Sequence, residues 1–158
     1  MAPLWTSNEV ITATNGINFS PSDWNANGVS IDTRTICPGN IFIAINGEKT
    51  DGHDYVNQAF ERGASAAIIS KKNENILGKN FILVGDTFES LNNLAKYSRS
   101  RSNTKVIAIT GSVGKTSTKE ILRAALSGQF LVYATEGNLN NHLGVPLTLA
   151  RMPEDTDF

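Results

Sequence analysis

Between Val106 and Ser117 an apolar run, Val106-Ile107-Ala108-Ile109, passes through Thr110-Gly111-Ser112-Val113-Gly114-Lys115-Thr116-Ser117 into a helix-forming stretch. Few folds accept that order of elements. Small residues let the backbone curl so that successive N–H groups point inward, and the positive end of the following helix then faces the same point. Gly111 and Gly114 meet the first need. Lys115 would neutralise β and γ phosphate oxygens as a point charge. The Thr116 hydroxyl would sit on Mg²⁺, an ion that keeps several waters and needs few protein ligands. A lysine at a helix start opposes the helix dipole and is an awkward choice without an anion to bind. Residues Thr110 to Ser117 therefore read as a cradle for ATP, with Lys115 as the catalytic cation. The usual G-x-x-x-x-G-K-[ST] spacing would put a glycine at 109, where this chain has Ile109, so the loop is a shorter variant.

The loop sits in a β-loop-α-β pattern: a strand from Lys105 to Thr110, a helix from Lys115 to Ser127 with Thr118, Ile121, Leu122 and Ala125 on one face, and a second strand from Leu131 to Ala134. Such a unit is the seed of a parallel sheet. Upstream, the signals are those of a small mixed α/β unit. Ser7 to Thr14 reads as a short helix stopped at Asn15-Gly16, and Gly28 to Thr33, Ile41 to Ile45, Ala66 to Ser70 and Phe81 to Val84 read as strands. Tyr55, Ala59 and Phe60 recur at helical spacing up to Gly63, and Leu91, Leu94, Ala95 and Tyr97 do so up to Ser100. The polar stretch Arg99 to Thr104 precedes the new signature, which places a domain boundary there. The expected organisation is a mixed α/β domain over 1–102, followed over 103–158 by the start of a parallel-sheet, phosphate-loop domain.

Composition removes several function classes. Fourteen Lys+Arg against 15 Asp+Glu leave a net charge of −1, with no basic cluster denser than Arg99 and Arg101. The chain has no electrostatic footprint for nucleic acid. Its longest apolar runs are about four residues, far short of the roughly 18 needed to span a bilayer. The N-terminus lacks a basic start and an apolar stretch. The single Cys37 cannot form an internal disulfide, which fits a reducing cytoplasm.

Three ordered motifs resemble the Mur ligases, cytoplasmic ATP-dependent amide ligases of peptidoglycan synthesis. The first is the shortened phosphate loop. The second is Ser30-Ile31-Asp32-Thr33-Arg34, with Pro38-Gly39-Asn40-Ile41-Phe42-Ile43-Ala44 and Gly47-Glu48-Lys49-Thr50-Asp51-Gly52-His53-Asp54-Tyr55, similar to the family's uridine-nucleotide-binding domain. The third is Gly137-Asn138-Leu139-Asn140-Asn141-His142-Leu143-Gly144-Val145-Pro146. Within the family, the loop and this Asn-rich segment together resemble the branch that adds D-alanyl-D-alanine to UDP-N-acetylmuramoyl-tripeptide. The diaminopimelate- or lysine-adding branch is the alternative.

The resemblance implies a uridine pocket at Ile31 and Thr33 on the strand and Glu48, Lys49 and Thr50 in the loop, with Asn138, Asn140 and Asn141 offering amide groups to substrate. Asp32 and Arg34 have a second reading as an ion pair holding their loop together. Asp51 is expected to cap the helix after it, which makes Asp51-Gly52-His53 architectural, and His53 is expected to have no acidic or nucleophilic neighbour that would point to a triad. The resemblance further implies ATP and Mg²⁺ as cofactors, an acyl phosphate intermediate and a monomer. Family members hold magnesium with a Glu on the next strand and a modified Lys, and bind the incoming amine with a third domain. The chain reaches Phe158 about where that Glu-bearing strand is expected, so it reads as an N-terminal portion inactive alone. Two readings from other classes stay open: a phosphate-loop kinase or GTPase, and a uridine-nucleotide-binding module without catalysis.

Overall fold

In the computed structural model, residues 2–47, 50–72, 76, 78–136 and 142–158 are described. They fall into two compact units, Met1–Leu94 and Ala95–Phe158.

The first unit is built on a five-stranded sheet. Its strands are β2 (Ile17–Asn18), β4 (Gly28–Ser30), β5 (Asn40–Ile43), β6 (Ala66–Ile69) and β7 (Phe81–Leu83), in the order β2-β7-β6-β5-β4. β4 to β7 are parallel to their neighbours, and β2 closes one edge antiparallel to β7. β1 (Trp5–Thr6) and β3 (Asn25–Ala26) form a separate antiparallel pair. Every residue of β6 is buried, as are Ile41 to Ala44 around β5. That is the pattern of parallel strands covered on both faces, and it explains the unbroken apolar runs of the sequence. Phe42, Ala44, Ala67, Ile69 and Phe81 share one core with Val56 and Ala59 of α2 (Val56–Glu61) and with Ile76. Alternation sends Ile41, Ile43, Ile68 and Ile82, equally buried, to the opposite face.

The expected helix at Ser7–Thr14 is α1. Thr6 and Glu9 form a reciprocal capping box at its start, and Asn15 in the left-handed conformation ends it. The expected segment before Gly63 is split, a 3-10 turn over Gly52–Tyr55 followed by α2. The helix around Leu91 is α3, Thr87–Arg101. Asp86 accepts from the Glu89 N–H at its start, and the Thr87 hydroxyl donates to the Ala44 carbonyl, fixing the helix to the end of β5.

One sequence expectation is corrected here. Ile31 and Thr33 do not lie on a strand, because β4 ends at Ser30. There the Ser30 hydroxyl accepts from the Asp32 N–H and Asp32 accepts from the Arg34 N–H, two local side-chain turns that compete with a ladder.

The second unit contains α4 (Lys115–Leu126) and α5 (Gly144–Ala150). The stretches 105–110 and 131–134, expected as strands seeding a parallel sheet, are not strands among the described residues and form no ladder with one another. Their backbone bonds go instead to the end of the chain. Lys105 N–H donates to the Asp157 carbonyl, Tyr133 N–H to the Phe158 carbonyl, and Asp157 N–H to the Leu131 carbonyl, at 2.8–2.9 Å. Residues 157–158 thus bond to both stretches. A cavity of about 380 Å³ lies beside them, lined by residues that include Val106, Ala108, Leu122, Leu126, Tyr133 and Leu149. No residue of α4 is buried, and Ile121 is 68% exposed.

Candidate functional site

The phosphate loop is shaped by its two glycines. Gly111 has φ 151° and Gly114 φ 80°, values that side-chain-bearing residues rarely adopt. Gly114 leads directly into α4, whose start has no side-chain cap and no acidic residue in its first turn. The orphan N–H groups and the positive end of the helix dipole are therefore uncompensated by the helix itself. Lys115 sends its ammonium back across the loop to the Gly111 carbonyl. Thr116 and Ser117 occupy the first turn, and Thr110, Ser112 and Val113 are exposed, Val113 by 88%. Eight residues expected to line the loop are thus brought together around one helix start. Lys119, which the sequence reading passed over, anchors that helix: its ammonium donates to the Thr135 carbonyl at 2.5 Å and pairs with Glu120 at 3.0 Å. Its signal was its place one helical turn after Lys115.

In the first unit the candidate residues gather where β4, β5 and β6 end, the carboxyl edge at which parallel sheets take ligands. Ile31 is half-buried there. Thr33 is buried, with its hydroxyl donating to Gln58 Oε1 at 2.6 Å and its carbonyl accepting from Arg62. Its hydrogen is already used inside the protein. Asp32 and Arg34 form the expected ion pair, at 2.6 Å, and this guanidinium holds the Asp32 carboxyl below its ordinary range. With Arg34 85% exposed the pair shapes the loop more than it stabilises the fold. Thr50 is exposed, and its carbonyl accepts from the Gly47 N–H. Glu48, Lys49, Asn138, Asn140 and Asn141 lie outside the described residues.

Asp51 caps the 3-10 turn as expected, accepting from the His53 N–H at 3.0 Å. The expectation that His53 lacks an acidic or nucleophilic neighbour is corrected, since Asp51 lies 2.6 Å from its Nδ1. Folding brings Ser70, 17 residues away, against its ring: Nε2 accepts from the Ser70 N–H at 2.9 Å and lies 3.2 Å from the Ser70 hydroxyl. Because a backbone N–H can only donate, Nε2 must be unprotonated. The ring hydrogen is then on Nδ1 and is donated to Asp51 Oδ1 at 2.6 Å. The order Ser, His, Asp resembles a hydrolytic triad, but the lone pair that would take the serine proton is already engaged by the backbone. Lys71 holds the other carboxylate oxygen of Asp51 at 2.6 Å. The Lys71 bond, followed by the His53 backbone and ring bonds, pushes the Asp51 carboxyl far below the usual range.

Residues 25–121 match the catalytic domain of the Mur ligase family, and residues 109–158 match the Mur ligase middle domain. The chain belongs to the Mur ligase family. It is 44% identical over 155 residues to the UDP-N-acetylmuramoyl-tripeptide–D-alanyl-D-alanine ligase of Rickettsia prowazekii, covering 98% of this chain and 34% of that protein. To the ligase of the same name from Bacillus subtilis it is 44% identical over 132 residues, 83% of this chain and 29% of the relative. The solved UDP-N-acetylmuramoylalanyl-D-glutamyl-2,6-diaminopimelate–D-alanyl-D-alanyl ligase of Acinetobacter baumannii is similar at TM-score 0.82 and 34% identity, over 96% of this chain and 34% of that one. The MurF ligase of Thermotoga maritima, solved in complex with ADP, is similar at TM-score 0.63 and 32% identity, over 82% and 30% respectively. This Mur ligase chain spans about a third of the length of the relatives it matches. No helix among the described residues is long and apolar enough to cross a membrane.

Proposed function

We propose that residues 1–102 are the nucleotide-substrate domain, and residues 103–158 the opening of the ATP-binding domain, of a ligase that joins D-alanyl-D-alanine to UDP-N-acetylmuramoyl-tripeptide. The names and coverage of the relatives support this reading. The observation that carries its chemistry is the 110–117 loop, where two positive-φ glycines lead into a helix start without a side-chain cap, with Lys115 at its first position.

A carboxylate is a poor electrophile at neutral pH. In the proposed reaction a terminal carboxylate oxygen of the tripeptide attacks the γ phosphorus of ATP and ADP leaves. The D-alanyl-D-alanine amine then attacks the acyl phosphate, and the tetrahedral intermediate expels phosphate as the amine loses its proton. Lys115 and the loop N–H groups would hold the phosphate oxygens in line and stabilise the charge of the transferring group. Among the described residues no cluster of His, Cys, Asp and Glu could hold a metal ion by itself. The Thr116 hydroxyl, in the first turn of α4, would hold Mg²⁺ together with phosphate oxygens and water. Such an ion would supply charge neutralisation for the transferring phosphoryl group. Ile31, Thr33 and Thr50 would receive the uridine nucleotide, with Glu48, Lys49, Asn138, Asn140 and Asn141 as further contacts.

Calorimetric titration tests both halves. The chain is expected to bind UDP-N-acetylmuramoyl-tripeptide and, separately, ATP with Mg²⁺. A Lys115→Ala variant should lose only the second. A charged hydrogen bond is worth about 1.5–3 kcal/mol, so the loss expected is about 10- to 100-fold in ATP affinity. Binding of ATP but not of the uridine nucleotide would instead mark a phosphate-loop kinase or GTPase.

A further inference from the structure

We propose that His53 and Asp51 are positioning residues for the nucleotide substrate, the imidazole tying Asp51 and the turn that follows it to the end of β6 at the edge that receives the uridine nucleotide. This rests on the reading of the first unit as the nucleotide-substrate domain. Asn46 bridges Asp51, Gly47 N–H donates to the Thr50 carbonyl, and Gly52 N–H donates to the Ile45 carbonyl. Those bonds join Asp51 and Gly52 to the chain leaving β5. Among the described residues, the Asp51 carboxylate and the His53 ring add bonds sideways, to Lys71 and Ser70 at the end of β6.

A capping aspartate needs one backbone N–H, and Asp51 already has that of His53. The ring bond and the lysine bond are additional to the cap. His53 is 9% exposed, so an unpaired ring nitrogen there would carry a desolvation penalty, and both nitrogens are paired. A directional polar linkage fixes where Asp51 and His53 sit against the end of β6 in a way that apolar packing alone does not. Since β5 and β6 are parallel, the two ends so joined lie on the ligand-binding edge, beside Ile31 and Thr33 after β4.

The test uses the chain with UDP-N-acetylmuramoyl-tripeptide as one probe and Mg²⁺-ATP as the other. His53→Phe removes both ring bonds, His53→Asn keeps a donor near Asp51, and His53→Gln keeps an acceptor near Ser70. The phenylalanine variant is expected to weaken uridine-nucleotide binding about tenfold or more, with ATP binding within twofold of wild type. The asparagine and glutamine variants should fall in between. If His53→Phe does not fold, those two decide. A purely structural histidine would lower the melting temperature and leave both affinities of the folded protein unchanged, which overturns the proposal. Equal losses for both probes overturn it as well. If the wild-type chain binds no uridine nucleotide, the underlying reading fails rather than the linkage. The linkage has its own readout: nitrogen-15 spectra of the wild-type ring should show the neutral Nδ1–H tautomer, and an Nε2–H tautomer would sink it.

Discussion

Gly52 offers a strict test of how the candidate nucleotide edge is built. A Cβ placed on it would lie 2.7 Å from both the backbone nitrogen and oxygen of Ile45, and 2.9 Å from the Ala44 carbonyl carbon. Ordinary contact begins near 3.4 Å, so about 0.7 Å must be found. The opposing atoms are main chain at the end of a buried strand, with Ala44 fully buried, and cannot swing aside as a side-chain tip would. Overpacking of this kind costs roughly 1–3 kcal/mol. Gly52 has negative φ, so alanine also gains about 0.4–1 kcal/mol from a less flexible unfolded chain. The net expectation for Gly52→Ala is a loss of about 1–2 kcal/mol, or roughly 5–15 °C in melting temperature for a unit of this size. Urea and thermal unfolding followed by circular dichroism would measure it. Gly85→Ala is the control, because its Cβ meets nothing within 4 Å and its φ is also negative. It should be neutral or stabilising by a few tenths of a kcal/mol. Equal stability of the two variants would refute the argument that Gly52 is pressed onto the chain leaving β5. Since Gly52 N–H also bonds the Ile45 carbonyl at 2.8 Å, the same variant should weaken uridine-nucleotide binding.

Phe42 is 1% exposed at the centre of the core cluster of the first unit, and Phe42→Ala is expected to destabilise that unit by about 3–5 kcal/mol, read from urea midpoints. Asp51 has a folded-state acidity well below its ordinary range near 4, so its stabilising contribution is complete above that range and lost as pH falls below it. Unfolding free energy measured from pH 5 down to pH 2 should accordingly fall more steeply for wild type than for Asp51→Asn, and parallel curves would refute the role assigned to the Lys71 and His53 bonds.

Much of the first unit was legible in the sequence because its signals are local. The Ser7–Thr14 helix and its stop at Asn15-Gly16 were read directly, although its cap is Thr6, with Glu9, one residue earlier than expected, and the all-apolar runs at 41–44 and 66–69 read as strands. The antiparallel edge strand Ile17–Asn18 and the Trp5–Thr6 and Asn25–Ala26 pair were not legible. Two-residue strands carry no periodicity, and their pairing depends on partners far away in the chain. The helix Gly144–Ala150 was not read from the sequence, and Pro146 sits in its first turn, where its absent N–H has no partner to lose.

The phosphate loop shows how the two levels divide. Gly111, Gly114, Lys115 and Thr116 are adjacent in the chain, so their spacing alone determines that a curled backbone, a lysine and a hydroxyl meet at one helix start. The relation of the stretches 105–110 and 131–134 is different. Nothing local states whether two such stretches joined by a helix pair with one another, and it took the tertiary structure to bond residues 157–158 to both. The same holds for His53. Asp51 is two residues away and visible as a cap, but Ser70 is 17 residues further on and arrives only because β5 and β6 pair in parallel. Residue identity determined which groups this chain could offer a phosphate or a nucleotide. Long-range backbone pairing decided which of them share an edge, because hydrogen-bond register between strands is a property of the folded sheet and not of any one segment.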